Sequence, residues 1–142
     1  MLVRLLYASR ASGPITEDVI TSILTQSRRN NVETGVTGVL CVCHGDVFMQ
    51  ALEGGRKQVN DLYAKVLRDQ RHADVILLEY GEITERRFAD WRMGRVDLDK
   101  VNAGLILRYS EQARLDPFRI SGRVAMKLLE DLAGAASIVG GN

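Results

Sequence analysis

A chain of 142 residues with 46% apolar and 26% charged side chains, two prolines and thirteen glycines has the size and composition of one globular domain. Its 19 Lys and Arg nearly cancel its 18 Asp and Glu, so no broad field favours nucleic acid or an anionic membrane, and any partner must be recognised by a local site. The opening MLVRLLYAS is short and interrupted by Arg4, and no long apolar run follows, so the expectation is a cytoplasmic protein without a secretory leader or membrane span.

Residues 2 to 8 alternate as a strand, with Val3, Leu5 and Tyr7 on one face and Leu2, Arg4 and Leu6 on the other. After Pro14, Thr16 caps a helix whose first turn carries Glu17 and Asp18, which suits the helix dipole. Val19, Ile20, Ile23 and Leu24 repeat at helical spacing, and the helix is expected to stop near Asn30 or Asn31. TGVLCVC (37–43) and VFMQALE (47–53), joined by HGD, read as a hairpin. Gly54 and Gly55 release the chain into the clearest helix, with Val59, Leu62, Tyr63, Val66 and Leu67 on its stripe. VILLEYGEI (75–83) is the next strand, and WRMGRV (91–96) is read as the last.

The order β-α-β-β-α-β-β contains two strand–helix–strand units with parallel strands. The economical solution is an α+β, ferredoxin-like sheet with both helices on one face. Residues 97–109 and about 121–134 are read as two C-terminal helices, the second with Val124, Leu128, Leu129 and Leu132 on its stripe. They are expected to form an extension (97–142) of the same compact domain as 1–96, covering the other face of the sheet or mediating assembly.

Cys41, Cys43 and His44 cluster, but the other histidine, His72, is distant in sequence, so a closed zinc site competes with plain buried thiols. A disulfide between residues 41 and 43 would distort a strand, which favours reduced thiols. Gly54 and Gly55, followed by Arg56 and Lys57, open a helix whose free N–H groups suit a phosphate, although a glycine pair also serves simply to turn the chain. RRNN (28–31) and ERR (85–87) read as phosphate contacts or as solvated charge. There is no Walker sequence, G-x-S-x-G or H-E-x-x-H to support hydrolase or kinase chemistry.

Polar groups on apolar faces remain. Tyr7 shares its face with Val3 and Leu5, and Gln50 lies between Phe48 and Leu52. Trp91 and Met93 would point the same way if their segment is a strand. A buried amide without a partner costs about 1–3 kcal/mol. Either Tyr7 and Gln50 satisfy one another, or their partner is the polar edge of a planar ligand.

Tyr7-x-Ser9, RNNxxxGVTGVL (29–40), VFMQALEG (47–54), RDQRH (68–72) and RRFADWRM (86–93) together resemble the BLUF family of blue-light sensors that use flavin. The match runs in order over residues 2 to about 96, and the trailing helices resemble those of the short, stand-alone members. The resemblance implies FAD, with FMN as the alternative, as the chromophore. It implies Tyr7 as electron donor and Gln50 as the amide between Tyr7 and the flavin ring. Asn31 would hold the ring's carbonyl edge with Asn30 beside it, and Ile23 and Val66 would sandwich the ring. Lys65, Asp69 and Arg71 would line its outer edge, and Trp91 and Met93 would be the pair near the glutamine. Ala51 stands where some members carry tryptophan, and Lys65 where arginine is common, which replaces a planar fork by a point charge. A homo-oligomer, dimer or ring, is implied, as is a separate effector such as a cyclic-di-GMP phosphodiesterase. The implied protein is a photoreceptor and not an enzyme. Its competitors are an acylphosphatase-like phosphate-handling enzyme and a ligand-free interaction module.

Overall fold

The structure, a computed structural model, describes residues 1–43, 45–135 and 138–140. Its strands are β1 (Leu2–Ala11), β2 (Thr37–Cys43), β3 (Val47–Gly55), β4 (His72–Ile83) and β5 (Gly94–Asp97). Its helices are α1 (Glu17–Thr34), α2 (Arg56–Arg68), α3 (Ala103–Leu107) and α4 (Gly122–Gly134), with a 3₁₀ turn at Leu98–Lys100. The sheet order is β4-β1-β3-β2-β5.

β1 lies antiparallel between β3 and β4, β2 is antiparallel to β3, and β5 joins β2 in parallel. β1 is therefore parallel to β2 across β3, and β3 parallel to β4 across β1. This is the ferredoxin-like arrangement in which each strand–helix–strand unit is split by a strand of the other.

Period-two alternation divides the sheet into two dry faces. Val3, Leu5 and Tyr7 of β1 and Phe48 and Leu52 of β3 meet Ile20, Ile23 and Leu24 of α1 and Val59 of α2. Leu6, Val39, Cys41, Met49 and Ala51 face the other way, against Ala125, Leu128, Leu129 and Leu132 of α4. Leu128, Leu129 and Leu132 of the stripe read in the last helix thus cover the second face, whereas Val124 lies outside that cluster. Gly38 permits the close approach of β2 to β3, because a Cβ there would lie 2.1 Å from the Ala51 carbonyl oxygen.

Several boundaries differ from the sequence reading. α1 runs past Asn30 and Asn31 to Thr34, where Gly35 adopts φ 75° and donates its N–H to the Asn31 carbonyl. Only a residue tolerant of the left-handed region ends a helix this way, and the next such residue was Gly35. Leu67 is 55% exposed and falls off the buried stripe of α2. The expected strand 91–96 is regular only over Gly94–Asp97. The single helix expected over 97–109 is a 3₁₀ turn and a five-residue α3, interrupted where Asn102 caps α3 by accepting from the Gly104 N–H. After α4 the chain returns to β5, where Arg95 and Val139 exchange two backbone hydrogen bonds of 2.9 and 3.0 Å.

Candidate functional site

The site lies on the helix-covered face, where the register places Tyr7 directly opposite Gln50. Tyr7 is 1% exposed and Gln50 6%. The Tyr7 hydroxyl donates to Gln50 Oε1, and Gln50 Nε2 donates to the sulfur of the buried Met93 at 3.2 Å. Burial, with a smaller contribution from the Asp69 charge, pushes the Tyr7 phenol well above its usual range, so it is protonated at any physiological pH.

The structure separates two residues that the sequence reading put on one face. Met93 belongs to the cluster under α1 and α2, whereas Trp91 packs against the α4-side cluster. Strand alternation does not apply because residues 91–93 are not a strand. Other elements hold them through their carbonyls. Gly38 N–H donates to Trp91 O at 3.0 Å, Asn31 Nδ2 to Arg92 O, and Arg28 Nε to Met93 O at 3.1 Å.

Of the other sequence candidates, Ile23 is buried beside this cluster, Val66 packs against it, and Asn31 is 3% exposed. Asn30 and Lys65 are exposed. Asp69 and Arg71 pair at 2.6 Å, and Arg71 reaches across to Gln26 of α1 at 3.2 Å. The guanidinium of Arg71 holds the Asp69 carboxyl below its usual range.

Three neighbours were not singled out for this role. Tyr63 of α2 stands 5.6 Å from the Tyr7 ring, centre to centre. Ser9, fully buried, shares a 2.7 Å hydrogen bond with His72 Nδ1, and the His72 ring lies 5.3 Å from Phe48. Ser9 lay two residues beyond Tyr7 on the same strand face, the signal that would have found it.

Burial, which outweighs the opposing charge of Asp69, holds the His72 imidazole below its usual 6.5, with Arg71 acting in the same direction. The unfolded chain therefore takes up this proton first. The stabilisation from neutral His72 is complete above about 6.5 and is lost as pH falls below it. Asp69 does not interfere, because its own titration lies below the usual 3.8. The thermal midpoint is expected to drop between pH 7 and pH 5, and His72→Gln should flatten that drop. An equally steep drop in the variant would assign it elsewhere.

The residues read for phosphate binding have other partners. Arg56 pairs with Glu82 and Lys57 with Asp61, while Gly54 is packed between Val36 and Val59. His44 lies outside the described residues, and among those described no cluster is arranged to hold a metal. Cys41 and Cys43 are buried and free, and burial pushes the Cys41 thiol up to about 12 and raises Cys43 likewise. They are inert protonated thiols.

The donor set suits a planar ring with a polar edge. The walls from α1 and α2 are branched and apolar. At their floor Gln50 directs one N–H at the Met93 thioether, and its amide carries a second N–H that suits a ring nitrogen or carbonyl. Asp69 and Arg71 add polar groups near Tyr7. A flavin fits that description.

Fold and site together define a ferredoxin-like α+β domain built around a buried phenol and amide beneath two helices. The chain belongs to the BLUF family, whose model, described as sensors of blue-light using FAD, matches residues 2–94. The matched region is thus a sensory module. It is 33% identical over 93 residues to the photoactivated adenylate cyclase subunit beta of Euglena longa, covering 65% of this chain and 11% of that protein. It is 32% identical over 98 residues to the blue light- and temperature-regulated antirepressor BluF of Escherichia coli (strain K12), covering 69% of this chain and 24% of that one. The chain therefore spans a tenth to a quarter of these relatives. Among solved structures, BlsA in its photo-activated state superposes with a TM-score of 0.81 at 31% identity, covering 94% of this chain and 95% of that one. BlrB in its dark state gives 0.75 at 29% identity, covering 94% and 96%. No helix among the described residues is long and apolar enough to cross a membrane.

Proposed function

We propose that the chain is a cytoplasmic blue-light photoreceptor that holds oxidised flavin without a covalent bond, and that Tyr7 and Gln50 convert absorption into a change of hydrogen bonding. The chain of bonds from Tyr7 through Gln50 to Met93 carries this reading. FAD is the flavin named by the family description, with FMN as a substitute. Ile23 and Val66 clasp the ring, and Asn31, with Asn30 beside it, serves its carbonyl edge. Lys65, Asp69 and Arg71 serve the outer edge.

When bound, the flavin supplies absorption of blue light and an excited-state electron acceptor. With flavin held there, Tyr7 would be the residue that supplies an electron to it and a hydroxyl proton through Gln50, and that takes both back. Gln50 is left turned or tautomerised. For a turned amide the consequence follows from the geometry: Nε2 now faces the phenol oxygen and Oε1 faces the Met93 sulfur. A thioether cannot donate, so the bond of Gln50 to Met93 is lost and segment 91–93 is loosened. Trp91, on the opposite side of that segment, conveys the change toward α4.

The signal leaves by protein contact, within a homo-oligomer or through a separate effector. A cyclic-di-GMP phosphodiesterase is one such effector. The Klebsiella pneumoniae BlrP1 structure, described as a calcium/cy-diGMP complex, is 26% identical over 96% of this chain and 34% of that one.

Absorption spectra of the protein supplied with FAD, in the dark and after blue light, test the reading. A flavin band that shifts red by several nanometres and returns in darkness is expected. Failure to bind flavin, or a band unmoved by light, would overturn it.

A further inference from the structure

Arg28, a partly buried residue of α1 outside the flavin-facing set, makes contacts that connect two segments. Its Nε donates to the Met93 carbonyl at 3.1 Å, at the residue whose sulfur accepts from Gln50. Its other end lies against segment 138–140, since a Cβ placed on Gly140 would sit 3.3 Å from Arg28 Nη2. That segment is bound to β5 by the paired hydrogen bonds of Arg95 and Val139. It also seats Ile138, 8% exposed, against Gly94, whose other close neighbour is the Trp91 ring. One guanidinium therefore bonds the seat of Met93 and lies beside a short strap laid on the edge of the sheet.

We propose that Arg28 is a positioning residue for the photocycle: it holds Met93 in its seat beneath Gln50 in the dark and clasps the strap 138–140 onto β5, so that release of Met93 in the light also releases the strap. The proposal rests on the Tyr7 and Gln50 reading and deepens it. The physical basis is the planar fork of arginine, which fixes Nε on one acceptor while its terminal nitrogens reach another group. Lysine offers a single ammonium and cannot keep both contacts.

The experiment compares flavin-loaded wild type, Arg28→Ala and Arg28→Lys by dark recovery of the red-shifted band and by amide hydrogen exchange at Val139. In wild type, the Val139 amide is expected to be protected in the dark and to exchange faster under illumination. Arg28→Ala should exchange fast at Val139 even in the dark and recover about tenfold more slowly, the change expected when a bond from a charged donor is missing from the step that reseats Met93. Arg28→Lys should restore recovery to within a few-fold while Val139 stays unprotected, a split that a general loss of stability would not produce. Wild-type exchange and recovery in Arg28→Ala would overturn the proposal, as would an Arg28→Lys variant that slows recovery as much as Arg28→Ala does. If Arg28→Ala fails to fold, Gly140→Val decides. It keeps Arg28 but crowds Nη2 at a φ of 73°, and should free Val139 while leaving recovery unchanged. Wild-type protection of Val139 in that variant would count against the strap. A wild-type protein that shows no red shift defeats the underlying reading instead, whereas dark exchange in wild type and Arg28→Ala reports on the clasp without it.

Discussion

Tyr7→Phe is expected to keep the flavin band and abolish the light-induced red shift. Phenylalanine preserves the ring that packs among Phe48, Tyr63 and His72, so the walls of the site persist. It removes the hydroxyl that donates to Gln50 Oε1, and with it both the donated electron and the bond whose exchange would record the light. Stability should fall by about 1–3 kcal/mol, the usual cost of leaving a buried acceptor without its donor. Gln50→Leu should lose the shift for the complementary reason, since a leucine can neither accept from Tyr7 nor donate to Met93. Difference spectra after a blue-light pulse read both variants, and a normal red-shifted state in either contradicts the mechanism.

Glu53→Ala is expected to be the most destabilising of these substitutions. The Glu53 side chain is fully buried and accepts three hydrogen bonds, with a further ion-pair contact from Arg4 Nη2. Arg4 gives Nε at 2.8 Å and Nη2 at 2.7 Å, Phe88 gives its N–H at 2.7 Å and Arg87 its N–H at 3.1 Å. Alanine would leave the Arg4 cation, 13% exposed, without its counter-charge, and two backbone N–H groups without an acceptor. Removing one partner of a buried pair costs about 3–5 kcal/mol, a large share of the 5–15 kcal/mol that holds a domain of this size together. Chemical denaturation should show a midpoint lowered in proportion, and Glu53→Gln should recover part of the loss because one amide oxygen still accepts. A change below about 1 kcal/mol for Glu53→Ala would show that water replaces the lost carboxylate. The loop that Glu53 pins leads directly into segment 91–93, so the variant should also disturb the seat of Met93.

These two residues differ in how visible they were. Tyr7 and Gln50 stood out because each is a polar group in an apolar alternating run, and the resemblance supplied their roles. Glu53 ended the same run, but its partner Arg4 is 49 residues away, and nothing local says that the pair is buried. Arg28 read as a phosphate contact or as solvated charge because the carbonyl that it holds belongs to a segment 65 residues on. Asn31 lay where the first helix was expected to end; the additional turn to Gly35 makes it a helical residue facing the sheet.

The sequence by itself determined the order of the strands and first two helices, the ferredoxin-like sheet and the two faces of β1 and β3. These follow from local periodicity: a side chain's face in a strand is set by its parity, and a helix's buried side by its stripe. Only the tertiary structure decided on which sides of the sheet Trp91 and Met93 lie. Residues 91–93 have no ladder of their own to impose a parity. Their carbonyls are taken by Gly38, Asn31 and Arg28 from β2 and α1, and those long-range bonds turn Met93 inward beneath Gln50 and Trp91 toward α4.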